Sequence, residues 1–65
     1  MIRAPRPGQR VRLHYARRAA ASMPHHGALG SVRLVGRGPG PRNALVDLDG
    51  GGAVVVPRGN LQVAP

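Results

Sequence analysis

Arginine is the residue type in this sequence whose chemistry is easiest to interpret. The chain has ten arginines and two aspartates, which gives a formal net charge of +8 on 65 residues. An arginine fork binds two phosphate oxygens at once, and a small protein with this charge attracts polyanions. Seven arginines are therefore predicted to contact a nucleic-acid backbone: Arg10, Arg12, Arg17, Arg18, Arg33, Arg37 and Arg42.

The origin of this charge stays open at the level of sequence. Arginine without lysine, beside many alanines, glycines and prolines, is also what GC-rich coding produces. An acidic protein surface would be attracted to the same side chains. Contact with RNA or duplex nucleic acid is the first hypothesis, and an acidic protein partner is the second.

The near absence of aromatic residues restricts how such a protein could bind. Tyr15 stands alone, since the chain has no Phe and no Trp. Proteins that bind single strands stack bases on exposed aromatic rings, and grooves for proline-rich peptides and cages for methylated lysine are also built from aromatics. The sequence therefore favours contact with the backbone or the shape of a nucleic acid over base reading.

The histidines do not have the spacing of a metal site. His25 and His26 are adjacent, so in an extended chain they point apart. With no Cys and no Glu in the chain, few ligands remain to complete a site. We expect no metal, and we interpret His14, His25 and His26 as solvated side chains, with a loop position near a phosphate as the alternative.

Two carboxylates lie two residues apart on one predicted strand, at Asp47 and Asp49. Such a pair could bind Mg²⁺ or act in acid–base catalysis. In so basic a protein, however, we expect both to pair with neighbouring arginines across strands. No nucleophile–base pair or metal cluster is evident, so the sequence predicts a binding module, not an enzyme, and no cofactor.

Alternating apolar and polar residues predict the strands that must position these groups. In the first strand Val11, Leu13 and Tyr15 should face inward. In the second Val32 and Leu34 should share one side, and in the third Ala44, Val46 and Leu48 should share one face. The predicted strands are 9–15, 29–36, 43–49, 53–57 and 61–63, with a short 3₁₀ turn at 58–60 before the last.

The segments between the strands are rich in residues that break regular structure. Residues 1–8 are predicted to be an extended basic arm, 16–28 a long loop after strand 1, and 36–42 a Gly/Pro hinge. Five short strands within 9–64 predict a single all-β domain that curls into a small barrel, because closure removes exposed sheet edges.

Three short motifs carry a resemblance to a known family. Residues 7–11 (Pro-Gly-Gln-Arg-Val), 27–32 (Gly-Ala-Leu-Gly-Ser-Val) and 55–61 (Val-Val-Pro-Arg-Gly-Asn-Leu) resemble the first strand, the Gly-x-x-Gly-x-Val centre and the final strands of an SH3-like barrel of the KOW type. The resemblance implies contact with RNA or with protein, as in ribosomal and transcription-associated proteins.

An apolar patch supports a second hypothesis. Leu45 and Val55 are both predicted to point outward from neighbouring strands, and exposed apolar patches mark interfaces. The chain could then be a protein-interaction or assembly module, such as a phage or mobile-element accessory protein, that self-associates or meets an acidic partner. With no signal-like or membrane-spanning apolar run and no Cys, we expect a cytoplasmic protein without a membrane partner.

Overall fold

The computed structural model describes residues 4–16, 23–37 and 42–64. The all-β class, the five strands and the 3₁₀ turn before the last strand are confirmed. Parts of the predicted arm, long loop and hinge, at 1–3, 17–22 and 38–41, lie outside the described residues. The elements are β1 Arg10–Leu13, β2 Leu29–Val35, β3 Asn43–Leu48, β4 Ala53–Pro57, the 3₁₀ turn Arg58–Asn60 and β5 Leu61–Val63.

All five strands belong to one antiparallel sheet in the order β4-β3-β2-β1-β5. The predicted closure into a barrel is wrong, because the edge strands β4 and β5 do not pair with each other in the described part of the chain. The two edge strands, β4 and β5, are nevertheless joined by the 3₁₀ turn. The edges of a flat five-stranded sheet lie about 19 Å apart, whereas a 3₁₀ turn of this length spans only about 8 Å. The sheet must therefore be strongly curled.

The concave face of the curled sheet holds the core. The inward positions predicted for β1 and β3 are confirmed, and Tyr15 packs partly buried against the same cluster. Each buried Val or Leu side chain stabilises the fold by roughly 1.5–3 kcal/mol. The described side chains that are at most 2% exposed are Val11, Leu13, Val32, Ala44, Val46, Val56 and Leu61.

Gly30 lets β2 approach β3 closely in the middle of the sheet. A Cβ built at Gly30 would lie 2.5 Å from the carbonyl oxygen of Asp47 and 2.8 Å from Cγ1 of Val46. Both distances are well inside van der Waals contact. The second glycine of the Gly-x-x-Gly-x-Val motif is therefore required by packing.

A β-bulge interrupts β2 at Arg33. Val32 lies opposite Val46, and Leu34 lies opposite Leu45, so two β2 residues that are two apart face consecutive residues of β3. Arg33 is the extra residue. A bulge of this kind shifts the alternation of side chains by one position.

Because of this shift, the prediction that Val32 and Leu34 share one side is wrong. Val32 is 2% exposed, whereas Leu34 is 52% exposed and lies on the outer face. Val35 takes the inward position instead and packs against the core.

The first described residues form a turn that docks on β2. In the turn of residues 6–9 the last amide donates to the first carbonyl at 3.0 Å. Pro7 and Gly8, with a φ of +87° at Gly8, occupy the two central positions as in a type II turn. The Gly8 amide donates to the Val32 carbonyl at 2.7 Å, and Pro5 is buried.

The first strand is shorter than predicted and ends at Leu13. The His14 amide donates to the Asn60 carbonyl at 2.8 Å, and the Asn60 side-chain amide donates to the His14 carbonyl at 3.1 Å. The Tyr15 amide donates to Nδ1 of His26 at 3.0 Å. These bonds to the 3₁₀ turn and to a side chain replace the strand ladder beyond Leu13.

Candidate nucleic-acid interface

The centre of the outer sheet face is formed by a cross-strand row of Arg10, Ser31, Asp47 and Ala53. Arg10 uses both terminal nitrogens of its guanidinium. Nη1 donates to Asp49 Oδ1 at 2.6 Å and to Ser31 Oγ at 3.1 Å, and Nη2 donates to Asp49 Oδ2 at 2.5 Å. The pair is bidentate and links β1 to the β3–β4 turn.

Arg33 makes a second bidentate pair on the same face. Its Nε donates to Asp47 Oδ2 at 3.0 Å, and its Nη2 donates to Oδ1 of the same carboxylate. Arg33 follows the buried Val32 and lies on the outer face beside β3. This pair therefore ties β2 to β3 next to the Arg10–Asp49 pair.

These contacts confirm the predicted cross-strand pairing of both aspartates with arginines. Hydrogen bonds from Arg10 hold the pKa of the Asp49 carboxyl below its ordinary value. Hydrogen bonds to the aspartates likewise raise the pKa of Arg10 and of Arg33. Because the chain has two acidic side chains, the net charge of +8 resides in the other eight arginines.

Arg12 belongs to the next row of the outer face, toward the β5 edge. It lies opposite Leu29 on one side and Gln62 on the other. Its side chain is exposed. Neither cross-strand neighbour is charged, so its guanidinium faces solvent on that row.

Arg37 and Arg42 meet at a groove beyond the end of β2. The Gly36 amide donates to the Asn43 carbonyl at 2.8 Å, so the pairing of β2 with β3 extends to Gly36, the residue after β2. Arg37 and Arg42 are the next residues beyond this bond. Both arginines line a cavity of about 350 Å³, and the other described residues of its wall are Pro5, Pro7, Leu34, Val35 and Gly36.

The predicted arginine surface therefore consists of separate groups. Arg10 and Arg33 hold carboxylates at the centre of the outer face, while Arg37 and Arg42 converge on the groove. Arg17 and Arg18 lie outside the described residues. Sequence reasoning did not include the two prolines in the site, although the Pro-Gly turn signal before β1 could have placed them against the sheet.

The predicted outward pair of Leu45 and Val55 is part of a longer apolar row. Leu45 is opposite Val55 on one side and opposite Leu34 on the other. Val55 is 66% exposed, and Leu45 is half-buried. The row crosses β2, β3 and β4 and reaches the groove through Leu34, which no alternation pattern could have assigned to this face.

No group of three or more His, Asp or Glu side chains among residues 4–16, 23–37 and 42–64 is arranged to hold a metal ion. That part of the chain also contains no helix with the length and hydropathy needed to cross a membrane.

No protein-family model, curated protein or solved structure matches this chain. The resemblance to SH3-like modules of the KOW type therefore stays a prediction.

Proposed function

We propose that this protein is a nucleic-acid-binding module, not an enzyme, and that it holds the phosphate backbone of RNA or of a duplex at the groove of Arg37 and Arg42. The observation that carries the proposal is the convergence of these two arginines on one cavity. Both acidic side chains of the protein are meanwhile engaged by Arg10 and Arg33.

The walls of the groove suit a phosphodiester. Two guanidinium groups can each offer a fork of N–H donors to phosphate oxygens. The apolar walls at Leu34 and Val35 exclude water on one side, which strengthens the attraction between opposite charges. The same walls and the two prolines can contact the sugar, so binding would depend on the backbone more than on the base.

Arg12 provides a second contact at a distance from the groove, on the exposed row next to β5. The predicted contributions of Arg17 and Arg18 belong to the same proposal. The resemblance to KOW-type modules also supports it, since modules of that kind contact RNA. With Tyr15 partly buried against the core, base stacking is not part of the proposed mode.

The test is binding of labelled RNA and duplex DNA by fluorescence anisotropy, at several salt concentrations, for wild type and for R37Q/R42Q. Each phosphate neutralised on a duplex contributes about 0.9 to the slope of log K against log salt. We expect the double variant to bind more weakly and to lower the magnitude of that slope by about two.

The matched control is R10Q/R33Q, which removes the same charge from arginines that already hold aspartates. We expect it to change the slope less than R37Q/R42Q does. Equal losses in the two variants would show that total charge, not the groove, determines binding. Failure of the wild-type protein to bind at low salt would overturn the proposed function itself.

A further inference from the structure

β4 is an edge strand whose outward backbone groups can be identified from its register. The Leu48 amide donates to the Gly52 carbonyl at 2.9 Å, and the Arg58 amide donates to the Arg42 carbonyl at 3.0 Å. Hydrogen-bonded pairs alternate along an antiparallel ladder. With these two pairs at its ends, the pairs formed by Val54 and by Val56 are also hydrogen-bonded.

It follows that Val54 and Val56 direct their amides and carbonyls toward β3, whereas Ala53, Val55 and Pro57 direct theirs away from the sheet. In the described part of the chain no further strand pairs with this edge. An unpaired edge is a template for another strand.

The side chains of β4 do not protect this edge. The strand Ala53–Pro57 has no charged residue, although charges are the usual means by which proteins block edge pairing. Pro57 blocks a single donor at the end of the strand. Val55, at the centre, is 66% exposed.

We infer that β4 pairs antiparallel with β4 of a second copy of this chain, about a two-fold axis at Val55. In that register each Val55 amide donates to the Val55 carbonyl of the other copy. Each Ala53 amide donates to the opposite Pro57 carbonyl. Pro57 has no N–H to donate to the opposite Ala53 carbonyl, so one hydrogen bond is missing per copy. Its ring causes no clash at the end of the ladder.

The side chains and charges fit this register. The apolar row of Leu34, Leu45 and Val55 continues across the axis into the same row of the second copy. Both aspartates lie toward the β3–β4 turn, whereas Arg42 and Arg58 lie at the other end of β4. Antiparallel pairing places this basic end of each copy beside the other copy's β3–β4 turn, where each carboxylate is paired with an arginine. The two basic ends are therefore not opposed to each other.

A second copy fits better than an unrelated strand because β4 is uncharged and matches itself in length and register. Two bodies of +8 repel each other at long range, and salt screens that repulsion with a Debye length of about 10 Å at 0.1 M. Dimerisation should therefore strengthen with salt, whereas nucleic-acid binding weakens with salt. The direction of the salt dependence therefore distinguishes dimerisation from nucleic-acid binding.

The test is sedimentation velocity without nucleic acid, over a range of protein concentrations, at low and at high NaCl. We expect a monomer–dimer equilibrium whose dissociation constant falls as salt rises. V55K places like charges opposite each other at the axis and should weaken the dimer at least about tenfold. V63K is the control, because it adds the same charge at an equally exposed valine, 73% exposed, on the β5 edge.

Cysteine substitution gives a second readout that does not depend on charge. The chain has no cysteine. Residues of a hydrogen-bonded antiparallel pair have Cα atoms about 5.5 Å apart, within the range that a disulfide bridges. Oxidised V55C should form a covalent dimer rapidly, and V63C should not. A protein that is monomeric at every concentration and salt, or equal behaviour of the two positions in both experiments, would overturn the inference.

Discussion

The centre of the outer sheet face and the groove use the same side chain in different surroundings. At the centre, Arg10 and Arg33 lie near the end of β3, where Asp47 and, in the turn that follows, Asp49 are two positions apart. Each arginine makes a bidentate pair with one of these carboxylates. At the groove, Arg37 and Arg42 lie among prolines, Gly36 and apolar side chains.

The comparison shows that an arginine count does not measure the capacity to bind a polyanion. A guanidinium that holds a carboxylate must give up that partner to hold a phosphate. An arginine beside uncharged walls has no such competitor. In this chain the first kind of arginine links strands to one another, and the second kind is available to a ligand.

The largest effect is expected from Gly30→Ala, which disturbs the contact between β2 and β3, the strands that carry Arg33 and Asp47. The added Cβ would collide with the backbone of Asp47 at 2.5 Å, so β2 would have to move away from β3. We expect a loss of stability of at least about 1–3 kcal/mol, measured by urea or thermal unfolding followed by circular dichroism.

Gly50→Ala is the control for that substitution. A Cβ at Gly50 meets nothing within 4 Å. The unfolding midpoint of Gly50→Ala should therefore stay close to that of the wild-type protein. If Gly30→Ala is as stable as the wild-type protein, the close approach of β2 to β3 does not require glycine at position 30.

An intermediate effect is expected from removing the competitors at the centre with D47N/D49N. This change raises the net charge from +8 to +10 and leaves Arg10 and Arg33 without carboxylates. We expect tighter binding to duplex DNA and a salt slope steeper by up to about two, measured by the same anisotropy titration.

The control for that variant adds R10Q/R33Q to D47N/D49N, which returns the net charge to +8. If the released arginines cause the gain, the gain should disappear in the quadruple variant. A gain that persists there would mean that the aspartates weaken binding through their own repulsion of phosphate.

The smallest effect is expected in the pH dependence of stability. Arg10 lowers the pKa of the folded Asp49 carboxyl below the unfolded value of about 3.9. The pair therefore stabilises the fold above that pH, and its contribution is lost as the pH falls through the folded pKa. The effect is small because both side chains are largely exposed, at 40% and 50%.

Thermal unfolding of wild type and D49N between about pH 7 and pH 2 tests this prediction. The midpoint difference between the two proteins should be constant near neutral pH and should narrow below about pH 4. A difference that is the same at both extremes would show that Asp49 does not stabilise the fold through its charge.

Alternation predicted much of the fold correctly because most strands keep a strict period of two. Val11 and Leu13 in β1, and Ala44 and Val46 in β3, face the core as predicted. The pairing of the two aspartates with arginines also followed from the sequence, since the chain has two aspartates and ten arginines. The exposed position of Val55 followed from the same pattern.

The sequence by itself thus determined the class of fold, the inner face of most strands and the sign of the surface charge. The tertiary structure decided which arginines hold aspartates, since that depends on strand register. It also decided that Leu34 is exposed, because a one-residue bulge reverses every later position of a strand. The groove likewise required the fold, because only folding places Pro5 and Pro7 against the end of β2, beside Arg37 and Arg42.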